Sequence, residues 1–152
     1  DLGIITPEVE ALRRRFDLPG MKILQFAFDS DAANPYLPHY HEKNCVVYTG
    51  THDNNTTVGW YAALPAPVQE RVQEYLGRPR EMMPWPLARC AYASVAKLAI
   101  LPMQDVLALG AEGRMNTPGT AEGNWRWRFD WTQLPSGLPE HLNQLARLYG
   151  RR

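Results

Sequence analysis

His52 and Asp53 sit together in a polar cluster, Thr49-Gly50-Thr51-His52-Asp53-Asn54-Asn55-Thr56-Thr57, that begins where the apolar, β-branched run Cys45-Val46-Val47-Tyr48 stops. An imidazole and a carboxylate can move protons, hold a cation or bind hydroxyls. The run before them reads as a buried strand, and in α/β architectures ligands bind at the carboxyl ends of parallel strands, where loops converge on a rigid base. The same residues have a local reading. Thr51, Asp53 or Asn54 could supply the oxygen that caps a helix starting near Thr56-Thr57-Val58-Gly59-Trp60, and on local sequence alone capping is the stronger claim.

Two other groupings could do chemistry. His39 and His41 form a His-x-His pair of the kind that supplies two metal ligands in some barrel hydrolases. Here it lies in a proline-rich stretch, Asn34-Pro35-Tyr36-Leu37-Pro38-His39, with no obvious third or fourth ligand, so no metal is expected. Residues 110–131 concentrate arginine and tryptophan, with Arg114, Asn116, Asn124-Trp125-Arg126-Trp127-Arg128 and Trp131. Aromatic faces stack on sugars while Asn and Arg bond their hydroxyls, which makes a carbohydrate site one reading of this stretch. Anchoring of the loop to its domain is the other, and it is expected for Trp127 and Trp131.

The elements that must carry these groups follow from periodicity. Thr6-Pro7-Glu8 is a helix start, with Val9, Leu12 and Phe16 on one face, and Asp17-Leu18-Pro19-Gly20 ends it. Met21–Phe26 reads as a strand, residues 27–44 as a long irregular loop, and Cys45–Gly50 as the central strand. Residues 66–76 form an amphipathic surface helix, and Pro86–Lys97 a helix packed through Leu87, Cys90, Ala91, Ser94 and Val95. Leu98–Met103 is a third strand, after which Gln104 and Asp105 stand where loop residues face a ligand. A last helix carries Leu138, Leu142, Leu145 and Tyr149 on one face, leaving His141 exposed.

Composition narrows the partners. The 152 residues are 45% hydrophobic, enough for one domain with a real core, and no second domain or repeat is visible. Sixteen basic and sixteen acidic residues cancel, so neither nucleic acid nor an anionic membrane is expected as a partner. No apolar run approaches the about 20 residues needed to span a bilayer, and the expected compartment is cytoplasmic. Cys45 and Cys90 fall in apolar contexts that suit free thiols, and nothing points to an organic cofactor. Three parallel strands with helices between them would leave both sheet edges open, and a complete eight-stranded barrel needs about 250 residues. The expected fold class is therefore α/β, the C-terminal portion of a (β/α)8 TIM-type barrel, and Asp1-Leu2-Gly3 reads as a loop leaving something upstream.

Several stretches in one order resemble the 4-α-glucanotransferases, also called amylomaltases or disproportionating enzymes. They are Asp1-Leu2-Gly3, Leu18-Pro19-Gly20-Met21-Lys22-Ile23-Leu24-Gln25-Phe26-Ala27-Phe28, Asn34-Pro35-Tyr36-Leu37-Pro38-His39, Tyr48-Thr49-Gly50-Thr51-His52-Asp53-Asn54, Leu101-Pro102-Met103-Gln104-Asp105, Arg114-Met115-Asn116-Thr117-Pro118-Gly119 and Asn124-Trp125-Arg126-Trp127-Arg128. The resemblance implies a retaining barrel enzyme that moves α-1,4-glucan segments between maltooligosaccharide chains. It makes Asp53 the carboxylate that stabilises the transition state and His52 its substrate-binding neighbour. Phe26 then either lines the reacting-sugar subsite or packs, while Asn116, Asn124 and Trp125 are candidates to reach substrate from the last loop. The family's acid/base glutamate would fall just before Asp1 and its nucleophilic aspartate further upstream, and Glu8, Glu10 and Glu42 match no catalytic position. The chain is thus expected to carry part of a site and to be inactive alone. Two other readings remain: a non-catalytic carbohydrate-binding module, and a metal-dependent hydrolase using His39, His41, His52 and Asp53.

Overall fold

Three short strands pair in parallel in the order β1-β2-β3 in the computed structural model, which describes residues 5–151. The elements are α1 (Pro7–Arg15), β1 (Gly20–Ile23), β2 (Cys45–Tyr48), α2 (Thr57–Ala63), α3 (Ala66–Tyr75), α4 (Trp85–Ala93), β3 (Leu98–Ile100), α5 (Met103–Val106) and α6 (Leu138–Leu148), with short 3-10 turns at Leu24–Phe26, Pro38–Tyr40, Ala111–Gly113 and Trp131–Gln133. The expected loop at Asp1-Leu2-Gly3 lies outside the described residues.

The register decides which side chains share a face. Met21, Val46 and Leu98 align across the sheet, as do Ile23, Tyr48 and Ile100. Alternation puts Lys22, Val47 and Ala99 on the opposite face. On the second face Cys45 and Val47 join the core with Leu24, Ala27, Phe28, Leu37, Val72, Leu87, Ala91 and Ala96. Leu87, Val47 and Val72 are completely buried, and each such side chain contributes about 1.5–3 kcal/mol relative to exposure. The first face is open: Leu98 and Ile100 are exposed.

The helices begin and end for local reasons. Thr6 caps α1 by accepting from the Val9 amide, and Pro7 occupies the first turn, where a missing N–H costs nothing. The expected apolar face of α1 exists but is not covered, since Val9, Leu12 and Phe16 are all exposed. Arg151 closes α4 by donating to the carbonyls of Ala91, Tyr92, Ser94 and Ala96 at 2.7–3.2 Å.

Four expectations are corrected. β1 stops at Ile23 rather than Phe26, because Leu24 and Gln25 curl into a 3-10 turn that buries both, whereas strand alternation would have buried only one. β3 ends at Ile100, and Pro102 instead serves as the N-cap of α5. α4 ends at Ala93, so Ser94 is its C-cap and Val95 is turned out to solvent. His141 is partly buried rather than exposed, with its ring edge-on to Trp85 at 4.4 Å.

Candidate active site

β2 delivers the chain into the polar cluster through Gly50, where there is no room for a side chain: a Cβ would meet the Gln25 amide nitrogen at 2.6 Å. Gln25 is itself fixed, its amide donating to the Asn55 carbonyl at 2.9 Å. Thr51 then donates from both its N–H and its hydroxyl to Asn54 Oδ1, at 2.9 and 2.8 Å, and the Asn54 amide returns a bond to the Thr51 carbonyl at 3.1 Å. This small turn has His52 and Asp53 at its apex, with side chains 55% and 51% exposed. The capping reading is overturned. Thr56, not Thr51, Asp53 or Asn54, caps α2, its hydroxyl oxygen accepting from the Gly59 amide at 3.1 Å, which frees the Asp53 carboxylate from local duty.

The loop after β3 and α5 folds back onto this apex. Asn116 Nδ2 donates to Asp53 Oδ1 at 2.6 Å, Arg114 donates to the Asp53 carbonyl at 2.8 Å, and Arg114 Nε donates to the Asn116 carbonyl at 2.8 Å. His52 Nε2 lies 3.4 Å from the same Asp53 Oδ1 and pairs ionically with it only when protonated. The Trp125 ring sits 5.0 Å from the His52 ring at 38°, held by its amide bond to the Met115 carbonyl and by a φ of +61°. Phe26 borders the cleft that also holds Tyr48, His52, Asp53 and Ile100, and it packs edge-on against Tyr36 at 5.6 Å. Phe26 therefore packs against a neighbour and also borders the cleft beside Asp53. A carboxylate with one oxygen engaged and both aromatic and imidazole surfaces beside it can accept hydrogen bonds from sugar hydroxyls.

Asn124 does not join this group. Its Oδ1 accepts from the Thr117 amide at 2.9 Å and its Nδ2 donates to the Thr120 carbonyl and hydroxyl at 3.0 Å, so it fastens its own loop. Trp131 does not anchor that loop to the domain either. It is 75% exposed and touches Phe129 edge-on at 5.2 Å, while Trp127 stacks on Phe129 from a half-buried position. Asp105 was expected to face a ligand and instead points inward, 2% exposed, accepting from the Thr49 hydroxyl (2.6 Å), the Thr57 amide (2.7 Å) and the Thr57 hydroxyl (2.7 Å). Burial pushes its carboxyl pKa up, opposed by those three donors. Gln104 lines a small pocket with Asn55, Met115 and Trp125. Arg114 was missed. Its place two residues before Asn116 was the available signal, but nothing in the sequence says that a guanidinium there reaches the main chain of residue 53.

The His-x-His pair has other work. His39 Nδ1 is 3.0 Å from the Tyr75 hydroxyl, and His41 Nε2 donates to the Tyr36 carbonyl at 2.9 Å, with burial holding the His41 pKa below its usual range. Among the described residues no group of three or more His, Cys, Asp or Glu is placed to hold a metal. Both cysteines are free, and burial pushes the Cys90 thiol up to about 12.

Comparison with known proteins gives this geometry a family. A family profile described as 4-alpha-glucanotransferase matches residues 1–133. The chain is similar to a 4-alpha-glucanotransferase of Synechocystis, 57% identical over 100% of this chain and 30% of the relative. It is also similar to a potato 4-alpha-glucanotransferase described as chloroplastic/amyloplastic, 54% identical over 99% of the chain and 27% of the relative. The chain therefore spans about three-tenths of the length of these relatives. An amylomaltase from Streptococcus agalactiae, solved in complex with acarbose, superposes with a TM-score of 0.94 at 35% identity over 99% of this chain and 31% of that one. The three parallel strands are accordingly the C-terminal portion of a (β/α)8 barrel. The expected cytoplasmic address is not fixed by this kinship, since the potato relative is plastidic, and among the described residues no helix is long and apolar enough to cross a membrane. Matched by the family profile over most of its length and by close relatives from end to end, the chain belongs to the 4-alpha-glucanotransferase family.

Proposed function

We propose that this chain supplies the sugar-gripping part of a retaining 4-α-glucanotransferase, which moves α-1,4-glucan segments between maltooligosaccharides by double displacement. In that chemistry one carboxylate attacks the anomeric carbon, and a second carboxyl group protonates the departing oxygen and then deprotonates the incoming hydroxyl. An acceptor sugar in place of water makes the outcome transfer. Asp53 is neither of those two groups. Its task is to accept hydroxyl hydrogen bonds from the reacting glucose, bonds that strengthen as oxocarbenium character develops and so lower the barrier. His52 donates to or accepts from a neighbouring hydroxyl, Asn116 fixes the carboxylate, and Trp125 and Phe26 offer apolar surface to the sugar rings. The nucleophile and acid/base are assigned to no carboxylate of this chain: Glu10 and Glu42 are paired with Arg13 and Arg14, and Glu8 lies on the exposed side of α1.

The observation that carries the reading is the exposed Asp53 at the end of the central strand, steered through one oxygen by Asn116 at 2.6 Å while the cleft holding Phe26 opens beside it. The test is a chimera of the Synechocystis enzyme in which this chain replaces the matching segment, incubated with maltotriose. Glucose together with longer maltooligosaccharides is expected. Asp53→Asn should lower kcat by about 10²–10³, the usual loss when one transition-state contact is removed, and the 152-residue chain alone should transfer nothing. Transfer by the isolated chain, or an Asp53→Asn chimera as fast as its parent, would sink the reading.

A further inference from the structure

We propose that Asp105 is a positioning residue for the loop that carries His52 and Asp53, acting from beneath the site without touching substrate. The inference rests on the role proposed above for Asp53. Its geometrical basis is that one carboxylate holds both ends of the same loop. Thr49, the first residue after β2, donates its hydroxyl to Asp105 Oδ2, while Thr57, the first residue of α2, donates its amide to Oδ1 and its hydroxyl to Oδ2. The residues between those two anchors are the ones that present His52 and Asp53.

All the groups in this clamp are buried: Thr49 and Thr57 are completely inaccessible and Asp105 is 2% exposed. Hydrogen bonds to an ionised acceptor are roughly twice as strong as neutral ones, and a buried network with every member satisfied is rigid. Asp105 is in turn fixed by α5, whose first turn closes with the Asp105 amide on the Pro102 carbonyl at 3.0 Å. The clamp therefore ties the loop after β2 to the element that follows β3. From the other flank Gln25, just past β1, holds the Asn55 carbonyl. The loop is thus gripped from the elements that follow both neighbouring strands, which leaves its tip, steadied by Arg114 and Asn116, to meet a ligand. A displacement of about 1 Å in a catalytic constellation can cost on the order of 10² in rate, which is why rigidity under Asp53 belongs to function as well as to stability.

The test uses the Synechocystis chimera with Asp105→Ala, Asp105→Asn, and Leu87→Ala as a core truncation remote from the site. All are assayed at a temperature where each is fully folded by circular dichroism. Asp105→Ala is expected to lower kcat for maltotriose transfer at least tenfold with KM changed less than threefold, and Asp105→Asn, which keeps an acceptor for the Thr57 amide, to fall between it and the parent. Leu87→Ala should stay within twofold of the parent. The Thr57 amide should also exchange with deuterium at least tenfold faster in Asp105→Ala than in the parent. A kcat within twofold of the parent for Asp105→Ala, or an equal loss in Leu87→Ala, overturns the inference. If Asp53→Asn transfers as fast as the parent in the same assay, the proposed function fails instead. Should the parent chimera transfer nothing, Thr57 exchange alone decides: unchanged protection overturns the clamp and accelerated exchange upholds it.

Discussion

Adding one methyl group at Gly59 sets two known effects against each other, and the structure says which wins. Gly59 lies inside α2 and is buried. Helix propensity alone would make Gly59→Ala stabilising by about 1 kcal/mol. The new Cβ, however, would lie 2.9 Å from the Ala111 backbone nitrogen and 2.8 Å from each terminal atom of the Asn55 side chain. Carbon needs about 3.5 Å from such neighbours, so the overlap is about 0.6 Å, and one partner is main chain that cannot swing away. Overpacking of this kind costs about 1–3 kcal/mol. With main chain among the obstructed atoms the upper half applies, and the net result is destabilisation by about 1–2 kcal/mol. Urea unfolding of the chimera would read this as a lower midpoint at constant slope. The turn pushed aside is Ala111–Gly113, which feeds Arg114 and Asn116 toward Asp53, so transfer should fall along with stability. A Gly59→Ala chimera more stable than its parent would refute the packing argument and leave propensity in charge.

Other outcomes follow from single contacts. Asn116→Ala removes the donor to Asp53 Oδ1 and should lower kcat by about tenfold, the effect of about one lost hydrogen bond, measured on maltotriose. Asn124→Ala should leave kcat within about threefold while making residues 117–124 the first site of limited thermolysin cleavage, because the loop's own fastening is lost. The Cys90 thiol, raised by burial to about 12, stays protonated in the folded state while the unfolded chain ionises near the ordinary thiol value of about 8.5. Its contribution to stability is therefore whole below that value and is lost as pH climbs toward about 12. In native protein at pH 8 it should resist iodoacetamide, and rapid labelling there would contradict the burial.

The sequence was most legible where one local rule acts without competition. Thr6-Pro7 starts α1 as its side chains require, and the β-branched run at residues 45–48 is the central strand. It was least legible where a residue serves a distant partner. Asp105 reads as a loop acid because nothing nearby in sequence reveals Thr49 and Thr57, which bond it across 56 and 48 residues. Arg114 reaches the Asp53 carbonyl over 61 residues, again a tertiary fact. Trp131 misleads in the other direction: its size suggests burial, but the aromatic partners within two and four residues satisfy each other at the surface. The polar cluster was ambiguous because Thr, Asp and Asn all make good caps, and only the structure assigns that duty to Thr56.

The ring that Asn124 closes on Thr117 and Thr120 divides the last loop into two parts with different freedoms. Arg114 and Asn116, which touch residue 53, precede the ring. Inside it the chain turns through Gly119 and Gly123, both at positive φ, so substitutions that keep those glycines and Thr120 can be made between Thr117 and Asn124 without undoing the ring. Variation there would leave the aim of the carboxylate untouched, because both side chains that hold residue 53 come before the ring.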